Sequence, residues 1–441
     1  MKETENHGAR YAALVCLERF RRDGTWSGAG IDGVIKKYRL DSRDGALTAR
    51  LCLGVLQNRS LCDYYIDHYS STKLEPKLRD ILRLGVYQLL FMNKIPARSA
   101  VSECVELCKS SGYARASGLV NAVLRRIAEN RESLPEIPGK GSPEYLSIKY
   151  SHPQWLAQYV TDKKGYDFAR EFLEANNLPA KLTIQLNLLR TSCSDYIRAL
   201  DRAGASHREF EALPGCIQLE GGNAVELPGF EEGLFYVQDR AARLAVEIGC
   251  PRPGMNVLDA CACPGGKSFA AALAMENTGR ILARDIHAKK LELVNRGAQR
   301  LGLSIISTAC ADAREPDEEL KDSFDLVIAD VPCSGLGVIG KKPEIRYKDR
   351  DSLLDLPGIQ GDILRNLSRF VKPGGSLVYS TCTIMEEENE AVVKAFLENA
   401  RDYVLSPFAV GGLDCPGGMY TFWPNVDGTD GFFVAKLKRK K

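Results

Sequence analysis

Two cysteines lie directly after segments that the sequence predicts to be buried strands. Cys333 follows the apolar run at 324–329, within Asp330-Val-Pro-Cys-Ser, and Cys382 follows a second apolar run, within Tyr379-Ser-Thr-Cys-Thr. In an open parallel sheet, the carboxyl ends of the strands line the ligand crevice. Both thiols would then face one pocket, where one could act as a nucleophile and the other as a proton shuttle.

A glycine-containing loop precedes these cysteines and is typical of a ligand site. The strand predicted at 256–260 runs into Asp259-Ala-Cys-Ala-Cys-Pro-Gly-Gly-Lys-Ser268, whose adjacent glycines let the backbone approach a ligand closely. Asp285 ends the next predicted strand, 26 residues after Asp259. An acid at that place can bind both hydroxyls of an adenosine ribose. The alternative is an ordinary turn between a strand and a helix.

The loop matches neither Gly-x-Gly-x-x-Gly nor the Walker pattern, which favours an adenosyl ligand without phosphates over a dinucleotide or a triphosphate. The residues predicted to bind this ligand are Cys261, Ala262, Cys263, Pro264, Gly265, Gly266, Lys267, Asp285, Asp312 and Asp330.

A sulfonium methyl donor beside two thiols would permit methylation at C5 of a pyrimidine. Cytosine C5 is a poor nucleophile, but attack of a thiolate on C6 turns the ring into an enamine whose C5 can take a methyl group. The reaction needs a nucleophilic sulfur, an acid near N3 and a base near C5. Cys382, Asp330 and Cys333 can supply these groups, provided that the target base is unpaired or flipped out of its stack. The alternative for each cysteine is its usual role as a small buried hydrophobic residue.

The segments that must position these residues form three predicted domains. Residues 1–135 carry apolar positions at helical spacing without a strand pattern, which predicts a helical bundle. The segment 134–143 contains three prolines and two glycines and is predicted to be a linker. Residues 144–235 mix both patterns, with a strand predicted at 181–187 and helices predicted near 153–159 and at 194–203, and predict a small α+β domain. From 236 to 441 strands and helices alternate, as in a doubly wound α/β sheet, with candidate strands at 256–260, 280–285, 304–309, 324–330, 376–380 and 431–438.

Charge is distributed unevenly along the 441 residues. Residues 1–135 contain 22 basic and 15 acidic residues, a net charge of +7, whereas the remainder contains 37 and 42, a net charge of −5. A basic module beside a nearly neutral one favours a polyanionic partner such as RNA. The alternative is a solvated helix surface that happens to be basic.

Targeting and metal signals are not found. No apolar run approaches the roughly 20 residues of a membrane span, and the first eight residues are polar and lack the apolar region of a signal peptide. We therefore expect a cytoplasmic protein whose 14 cysteines are reduced thiols. We expect no metal, because the chain has no Cys-x-x-Cys pair and Cys261-x-Cys263 has the wrong spacing for a zinc knuckle.

Five segments together resemble the RNA cytosine-C5 methyltransferases: 230–239, 261–267, 330–338, 379–389 and 430–436. The helical N-terminal third is similar to the RNA-binding fold of a transcription antitermination factor, and this fusion points to the bacterial 16S rRNA methyltransferase B group. The resemblance implies an all-α NusB-like RNA-binding bundle, a small α+β linker domain and an α/β Rossmann-like S-adenosylmethionine-dependent methyltransferase domain.

The resemblance also implies an activity. S-adenosylmethionine would donate a methyl group to C5 of a cytosine in 16S rRNA, at cytosine 967, through a covalent adduct of a cysteine with C6. In the family the Thr-Cys cysteine, here Cys382, is the nucleophile, and the Pro-Cys cysteine, here Cys333, assists release. Two departures from the family pattern occur: Cys263 replaces the usual Ala, and Gly335-Leu336 replaces Ala-Thr. Neither departure touches the chemistry, although the second could alter how the base is gripped.

The expected partner is 16S rRNA before the small subunit is fully assembled, with no DNA or membrane partner and with the chain as a monomer. The N-terminal bundle and Lys341, Lys342 and Arg346 are expected to hold phosphates, although a solvated surface is the alternative for these side chains. Two other functions stay open: methylation of a tRNA cytosine or another rRNA cytosine, and a non-catalytic role as an RNA-binding assembly factor. Because both thiols and every predicted acid are present, catalysis is favoured.

Overall fold

The structure, a computed structural model, describes residues 8–23 and 27–441, and the polar segment 1–7 lies outside the described residues. The chain divides into two compact units. The first contains the described residues up to Asn177 together with Lys342–Tyr347, and the second contains Leu178–Lys341 and Lys348–Lys441. Within the two described ranges, every helix is too short or too polar to cross a membrane.

The first unit is helical, as the sequence predicts for residues 1–135, of which the structure describes 8–23 and 27–135. Its helices are α1 (Ala9–Asp23), α2 (Ser27–Tyr38), α3 (Ser42–Gln57), α4 (Arg59–Tyr69), α5 (Pro76–Phe91), α6 (Ala97–Cys108), α7 (Ser117–Glu129), α8 (Pro143–Lys149), α9 (Gln154–Lys164) and α10 (Tyr166–Ala175). Buried side chains recur every three or four residues, as in α7 at Val120, Val123, Leu124 and Ile127. Such a stripe is the face that a helix packs against a core.

Helices α8 to α10 belong to this helical unit, although the sequence assigns them to a small α+β domain. Tyr145 and Ile148 of α8 pack against the core that α1 to α7 build. The Gln57 amide also donates a hydrogen bond to the Asn177 carbonyl, at 2.9 Å. The division into 1–135, 144–235 and 236–441 stays a prediction, since helical packing here continues past residue 144.

A buried arginine joins the ends of several helices in this unit. Arg346 is 1% exposed, and its guanidinium donates five hydrogen bonds of 2.7–3.2 Å to oxygens of the unit. The acceptors are the carbonyls of Gln57, Tyr150, Ser151 and Asn176 and the side-chain oxygen of Asn177. Several of these carbonyls end helices α3, α8 and α10, where the helix dipole favours a cation. The expectation that Arg346 holds an RNA phosphate is therefore wrong, because the folded chain encloses its guanidinium.

The second unit begins with a small antiparallel sheet. Its strands are β1 (Leu182–Leu186), β2 (His207–Glu209), β3 (Cys216–Leu219) and β4 (Phe235–Val237), in the order β2-β3-β1-β4. Helix α11 (Cys193–Arg202) contributes Tyr196 and Leu200 to the core on this sheet. The strand predicted at 181–187 and the helix predicted at 194–203 are both confirmed.

The larger sheet of this unit is mixed. Strands β5 (Asn256–Asp259), β6 (Arg280–Asp285), β7 (Ile306–Cys310), β8 (Phe324–Asp330) and β9 (Val371–Thr381) are parallel. Strands β10 (Tyr403–Leu405), β13 (Met419–Phe422) and β14 (Phe432–Arg439) extend the sheet with antiparallel pairs, and β11 (Phe408–Val410) and β12 (Leu413–Cys415) form a separate hairpin. The predicted Rossmann-like domain is confirmed, with an antiparallel edge added to its parallel strands.

Helices cover both faces of this sheet, which is why consecutive apolar residues occur in the middle of its central strands. They are α12 (Arg240–Gly249), α13 (Gly266–Ala274), α14 (Ala288–Leu301), α15 (Leu356–Ser368) and α16 (Glu390–Asn399). The short helix α17 (Pro424–Asp427) has no buried residue. Val257 of β5 joins the core beneath α12, α13 and α14, and the next residue, Leu258, joins the core beneath α15 and α16. The order β14-β9-β8-β5-β6-β7 reverses between β8 and β5. Ligands bind beyond the carboxyl ends of strands at such a point.

We expect Arg346→Met to destabilise the helical unit by about 3 kcal/mol, because several buried oxygens lose their donor at once. The urea midpoint, followed by circular dichroism, measures the loss. Arg365→Met is the matched control: its side chain is 73% exposed and forms one ion pair, with Asp362, so a change below about 0.5 kcal/mol is expected. Equal midpoints for the two variants would contradict the role assigned to Arg346.

Candidate active site

The two thiols meet because their strands are neighbours. Strands β8 and β9 pair in parallel, with Asp330 opposite Ser380. Cys333 follows β8 and Cys382 follows β9, so each thiol sits in the first loop turn past its strand. Their Sγ atoms lie 3.2 Å apart, and both line one cavity.

A buried carboxylate holds the two cysteine loops in place. Glu388 is 3% exposed, and its Oε2 accepts the Ser334 backbone N–H at 2.8 Å and the Gln360 amide at 2.9 Å. The same Gln360 amide donates to the Pro332 carbonyl at 3.0 Å. The hydroxyls of Ser334 and Thr383, 2.7 Å apart, join the loops directly. The relative position of the thiols is thus set by hydrogen bonds that water cannot replace.

An ion pair lies beside the thiols. Lys267 Nζ donates to Asp330 Oδ2 at 2.6 Å, and the Ser380 hydroxyl donates to Asp330 Oδ1 at 2.8 Å. Burial disfavours the ammonium, but Asp330 outweighs this effect, so the pKa of Lys267 is raised. The lysine therefore stays charged within the site.

The two sulfurs are not equivalent. The hydrogen bond to Cys382 Sγ, together with burial, raises the pKa of Cys333 well above its ordinary value. The Cys382 thiolate is also one of the charges that raise the pKa of Lys267. By reciprocity, the ammonium favours negative charge on Cys382. The raised pKa of Cys333 means that this thiol holds its proton more tightly than an ordinary cysteine does.

The predicted ligand residues surround the same region. The cavity that holds both thiols has a volume of about 460 Å³ and includes Cys261, Cys263, Asp285, Asp312 and Asp330 in its wall. A neighbouring cavity of about 370 Å³ shares part of this wall and adds the predicted residues Ala262, Pro264, Gly266 and Lys267. Both volumes are in the range of small-ligand sites.

Gly265 forms the turn between β5 and α13. Its φ is +113°, and a Cβ there would stand 2.5 Å from the Phe269 ring. Both the conformation and the space require glycine. The glycine thus lets the cofactor loop pass closely over the start of α13.

The acids at the strand ends differ in how they are engaged. Asp285 accepts the backbone N–H groups of Cys263 at 3.2 Å and His287 at 2.9 Å, which orients its carboxylate and leaves lone pairs for ribose hydroxyls. Asp312 is held by the Arg314 guanidinium, which lowers the pKa of its carboxyl. Asp285 is therefore the better placed of the two for a direct ligand contact.

Sequence reasoning missed the apolar part of the ligand cavity. Ile286, Ile359 and Ile363 line it, and Ile286 is 54% exposed. Isoleucine side chains can pack on the flat face of a base. The one sequence signal was that Ile286 directly follows the predicted ribose-binding acid. Together with Asp285, these residues fit an adenosyl group.

The predicted phosphate contact of Lys341 has a different explanation. Lys341 Nζ lies 3.0 Å from a carboxylate oxygen of Asp239 and 2.8 Å from one of Asp430. Two carboxylates already neutralise this ammonium, and the lysine ties together the loops that carry them. Lys342 is exposed, and its contact with phosphate stays a prediction.

Asp259 is the last residue of β5, and its side chain is fully buried. Ser268 Oγ donates to its Oδ2 at 2.6 Å, whereas Oδ1 has no hydrogen-bond partner among the described residues. Burial raises the pKa of this carboxyl to about 6. The residue is thus a structural acid at the base of the cofactor loop, which takes up a proton in the mildly acidic range.

Known proteins match the chain along its length. The sequence model of the 16S rRNA methyltransferase RsmB/F family matches residues 248–438, that of the NusB family residues 7–129, and that of the RsmF/B-like ferredoxin-like domain residues 152–226. The probable ribosomal RNA small subunit methyltransferase B of Bacillus subtilis is 32% identical to this chain, and the alignment covers 100% of each protein.

Solved structures agree with the fold. The crystal structure of PH0851 has a TM-score of 0.80 and 27% identity, and it covers 98% of each chain. NSun6 from Pyrococcus horikoshii, crystallised with SFG, has a TM-score of 0.57 and 20% identity over 66% of this chain and 98% of its own.

The raised pKa of Asp259 predicts a pH dependence of stability. Between the unfolded value of 3.8 and the folded value of about 6, the native state retains a proton that the unfolded state has lost. Stability relative to Asp259→Asn should therefore fall as pH rises from about 4 to 6, by at most about 3 kcal/mol. Urea midpoints of both proteins at several pH values measure this difference. Asp355→Asn, at an exposed position, is the control and should run parallel to the unsubstituted protein.

Proposed function

Because this chain belongs to the 16S rRNA methyltransferase RsmB/F family, we propose that it methylates C5 of a cytosine in 16S rRNA through a covalent adduct between Cys382 and C6. The observation that carries this proposal is the pair of thiols, 3.2 Å apart, in one cavity with the predicted cofactor residues. S-adenosylmethionine, when bound, supplies the electrophilic methyl group.

Cys382 is the proposed nucleophile. Burial and the hydrogen bond between the thiols raise the pKa of Cys333, which favours Cys382 as the sulfur that loses its proton. The Lys267 ammonium favours the resulting negative charge. A thiolate adds to C6 far faster than a thiol does.

Asp330 is the proposed group at N3. When sulfur adds to C6, negative charge develops on the ring nitrogen and oxygen. The ion pair of Asp330 with Lys267, at 2.6 Å, offers both a carboxyl that can bind the N3 edge and a cation that stabilises the developing charge. Ser380 fixes the carboxyl through the other oxygen. The pair would thus stabilise the adduct more than the free base.

Cys333 is the proposed base that completes the reaction. Formation of the adduct removes the negative charge from Cys382, and with it one cause of the raised pKa of Cys333. The Cys333 thiol can then lose its proton to solvent and take the proton from C5. The C6–S bond breaks, its electron pair returns to Cys382, and the double bond between C5 and C6 is restored.

The cofactor site is proposed to be the cavity beside the thiols. Asp285 would accept hydrogen bonds from the ribose, Ile286 would pack on the adenine, and Cys261, Cys263, Asp312 and Asp330 would complete the wall. Support comes from NSun6, a structural neighbour crystallised with SFG, an analogue of S-adenosylmethionine.

The substrate is proposed to be an unpaired cytosine of 16S rRNA, at cytosine 967, before the small subunit is fully assembled. A basic N-terminal third with a NusB family match at 7–129 supports an RNA partner. The proposed setting is the cytoplasm, where rRNA is made in bacteria.

The two cysteine roles predict opposite behaviour of two variants. With a 16S rRNA transcript and S-adenosylmethionine, Cys333→Ala should accumulate a covalent protein–RNA adduct on a denaturing gel, because release is blocked. Cys382→Ala should form none, because the nucleophile is lost. Cys193→Ala, a substitution away from the site, should behave like the unsubstituted protein. Equal adduct from the first two variants would refute the assigned roles.

Bisulfite sequencing tests the position of the methyl group. RNA from cells with and without the gene should differ at one cytosine of 16S rRNA, expected to be cytosine 967. A difference confined to a tRNA or to another rRNA would assign a different substrate to the same chemistry. Equal patterns in both cell lines would leave a non-catalytic assembly role and would overturn the proposal.

A further inference from the structure

A second polar cavity lies at the amino ends of β8 and β9, at the opposite end of these strands from the candidate active site. Its volume is about 490 Å³. It is lined by residues at the start of β8 and β9, at the end of α12 and in the second half of β14. Four basic side chains contribute to its wall: Arg252, Lys372, Lys436 and Lys438. Among the described residues, Asp325 is the only acid that lines it, so the cavity carries a net charge of about +3.

The single acid is already engaged. Lys372 Nζ donates to Asp325 Oδ1 at 2.8 Å, and the backbone N–H of Asn256 donates to Asp325 Oδ2 at 2.8 Å. Arg252, Lys436 and Lys438 form no ion pair with this carboxylate within the described part of the chain.

Three cations of the cavity lack a carboxylate partner among the described residues: Arg252, Lys436 and Lys438. Lys436 is half-buried, and burial together with the charges of Lys438 and Arg252 lowers its pKa. Such repulsion among cations is unfavourable unless an anion binds between them.

The strand dictates that the two lysines face the cavity together. Lys436 and Lys438 flank Leu437, which is fully buried in the core. Because alternate residues of a strand point to opposite faces, both lysines project away from that core. Ser376 and Ser406 add hydroxyl groups to the same wall. The cavity thus offers cations and hydroxyl donors from four separate segments.

We propose that this cavity binds a phosphate group, and that in the working enzyme this group belongs to the RNA backbone. Ammonium and guanidinium groups that converge from several directions suit the tetrahedral oxygens of phosphate. The assignment of RNA as the source rests on the proposed function, because it takes rRNA as the substrate.

The cavity is remote from the reacting base. Residues 325 and 330 lie at opposite ends of β8, five residues apart, so the two sites are separated by about 17 Å along the strand. The phosphate therefore belongs to a nucleotide other than the target cytosine. Its contact should strengthen the binding of RNA without changing the chemical step.

Paired variants test the site. Lys436→Gln with Lys438→Gln removes two of the unpartnered charges, and Lys321→Gln with Lys394→Gln removes the same charge at exposed positions elsewhere. Binding of a 16S rRNA fragment is measured by fluorescence anisotropy, without S-adenosylmethionine, at several salt concentrations. The cavity pair should weaken binding about tenfold and reduce the slope of log Kd against log salt by about 1.5 to 2. The control pair should change Kd less than twofold. Arg252→Gln, at an exposed position, provides an independent variant if the double substitution does not fold.

Inorganic phosphate distinguishes the source of the group. If RNA affinity is unchanged but millimolar phosphate raises the melting temperature of the unsubstituted protein and not of the cavity pair, the site binds free phosphate. If neither RNA nor phosphate distinguishes the cavity pair from the control pair, the proposal is overturned. Because no methyl transfer takes place in these assays, their outcome is independent of adduct formation. A failed adduct experiment would thus refute the reaction and leave this site to be judged alone.

Discussion

The parallel pairing of β8 with β9 is the constraint on which the candidate active site depends. It sets Asp330 opposite Ser380, and the loops that follow bring two sulfurs to 3.2 Å. A slip of one residue would turn every side chain of a strand to the opposite face. Both faces of these strands are buried beneath helices, so the hydrophobic cores hold the register. Glu388 then fixes the two loops relative to each other. It lies in the segment that follows Cys382, and it accepts a hydrogen bond from the loop that carries Cys333.

Charge in the site is arranged around one lysine. Lys267 lies 2.6 Å from Asp330, close enough to the thiols to favour the anion on Cys382. Asp259, although nearby, is buried with a raised pKa, so it adds little negative charge under mildly acidic conditions. Asp285 accepts two backbone N–H groups and lines the ligand cavity. Aspartate therefore has three different roles in this site, which burial and neighbouring groups decide. Asp330 is an ion-pair partner, Asp259 is a structural acid, and Asp285 faces the ligand cavity.

Basic residues show how far composition can mislead about individual positions. Lys341 and Arg346 follow the Cys333 loop and are basic, which predicts phosphate contacts. Lys341, however, is bound by two carboxylates, and Arg346 lies within the helical unit among carbonyl oxygens. Lys436 and Lys438, in a strand that the sequence did not mark as a phosphate contact, have no carboxylate partner among the described residues. Partners that are distant in the chain decide which positive charges remain available.

Periodicity and loop chemistry, read from the sequence alone, determined the helical N-terminal third, the six strands of the Rossmann-like domain and the two cysteine loops. These features are local. The spacing of apolar residues, and the residue types that follow a strand, can be recognised in a short stretch of sequence without knowledge of the fold. The short strands β10 to β13 were missed because three or four residues carry little periodic signal. The antiparallel edge, the Glu388 network and the enclosure of Arg346 were decided by the tertiary structure. Each of them joins residues far apart in the chain, and hydrogen bonding and burial between such residues exist only once the chain is packed.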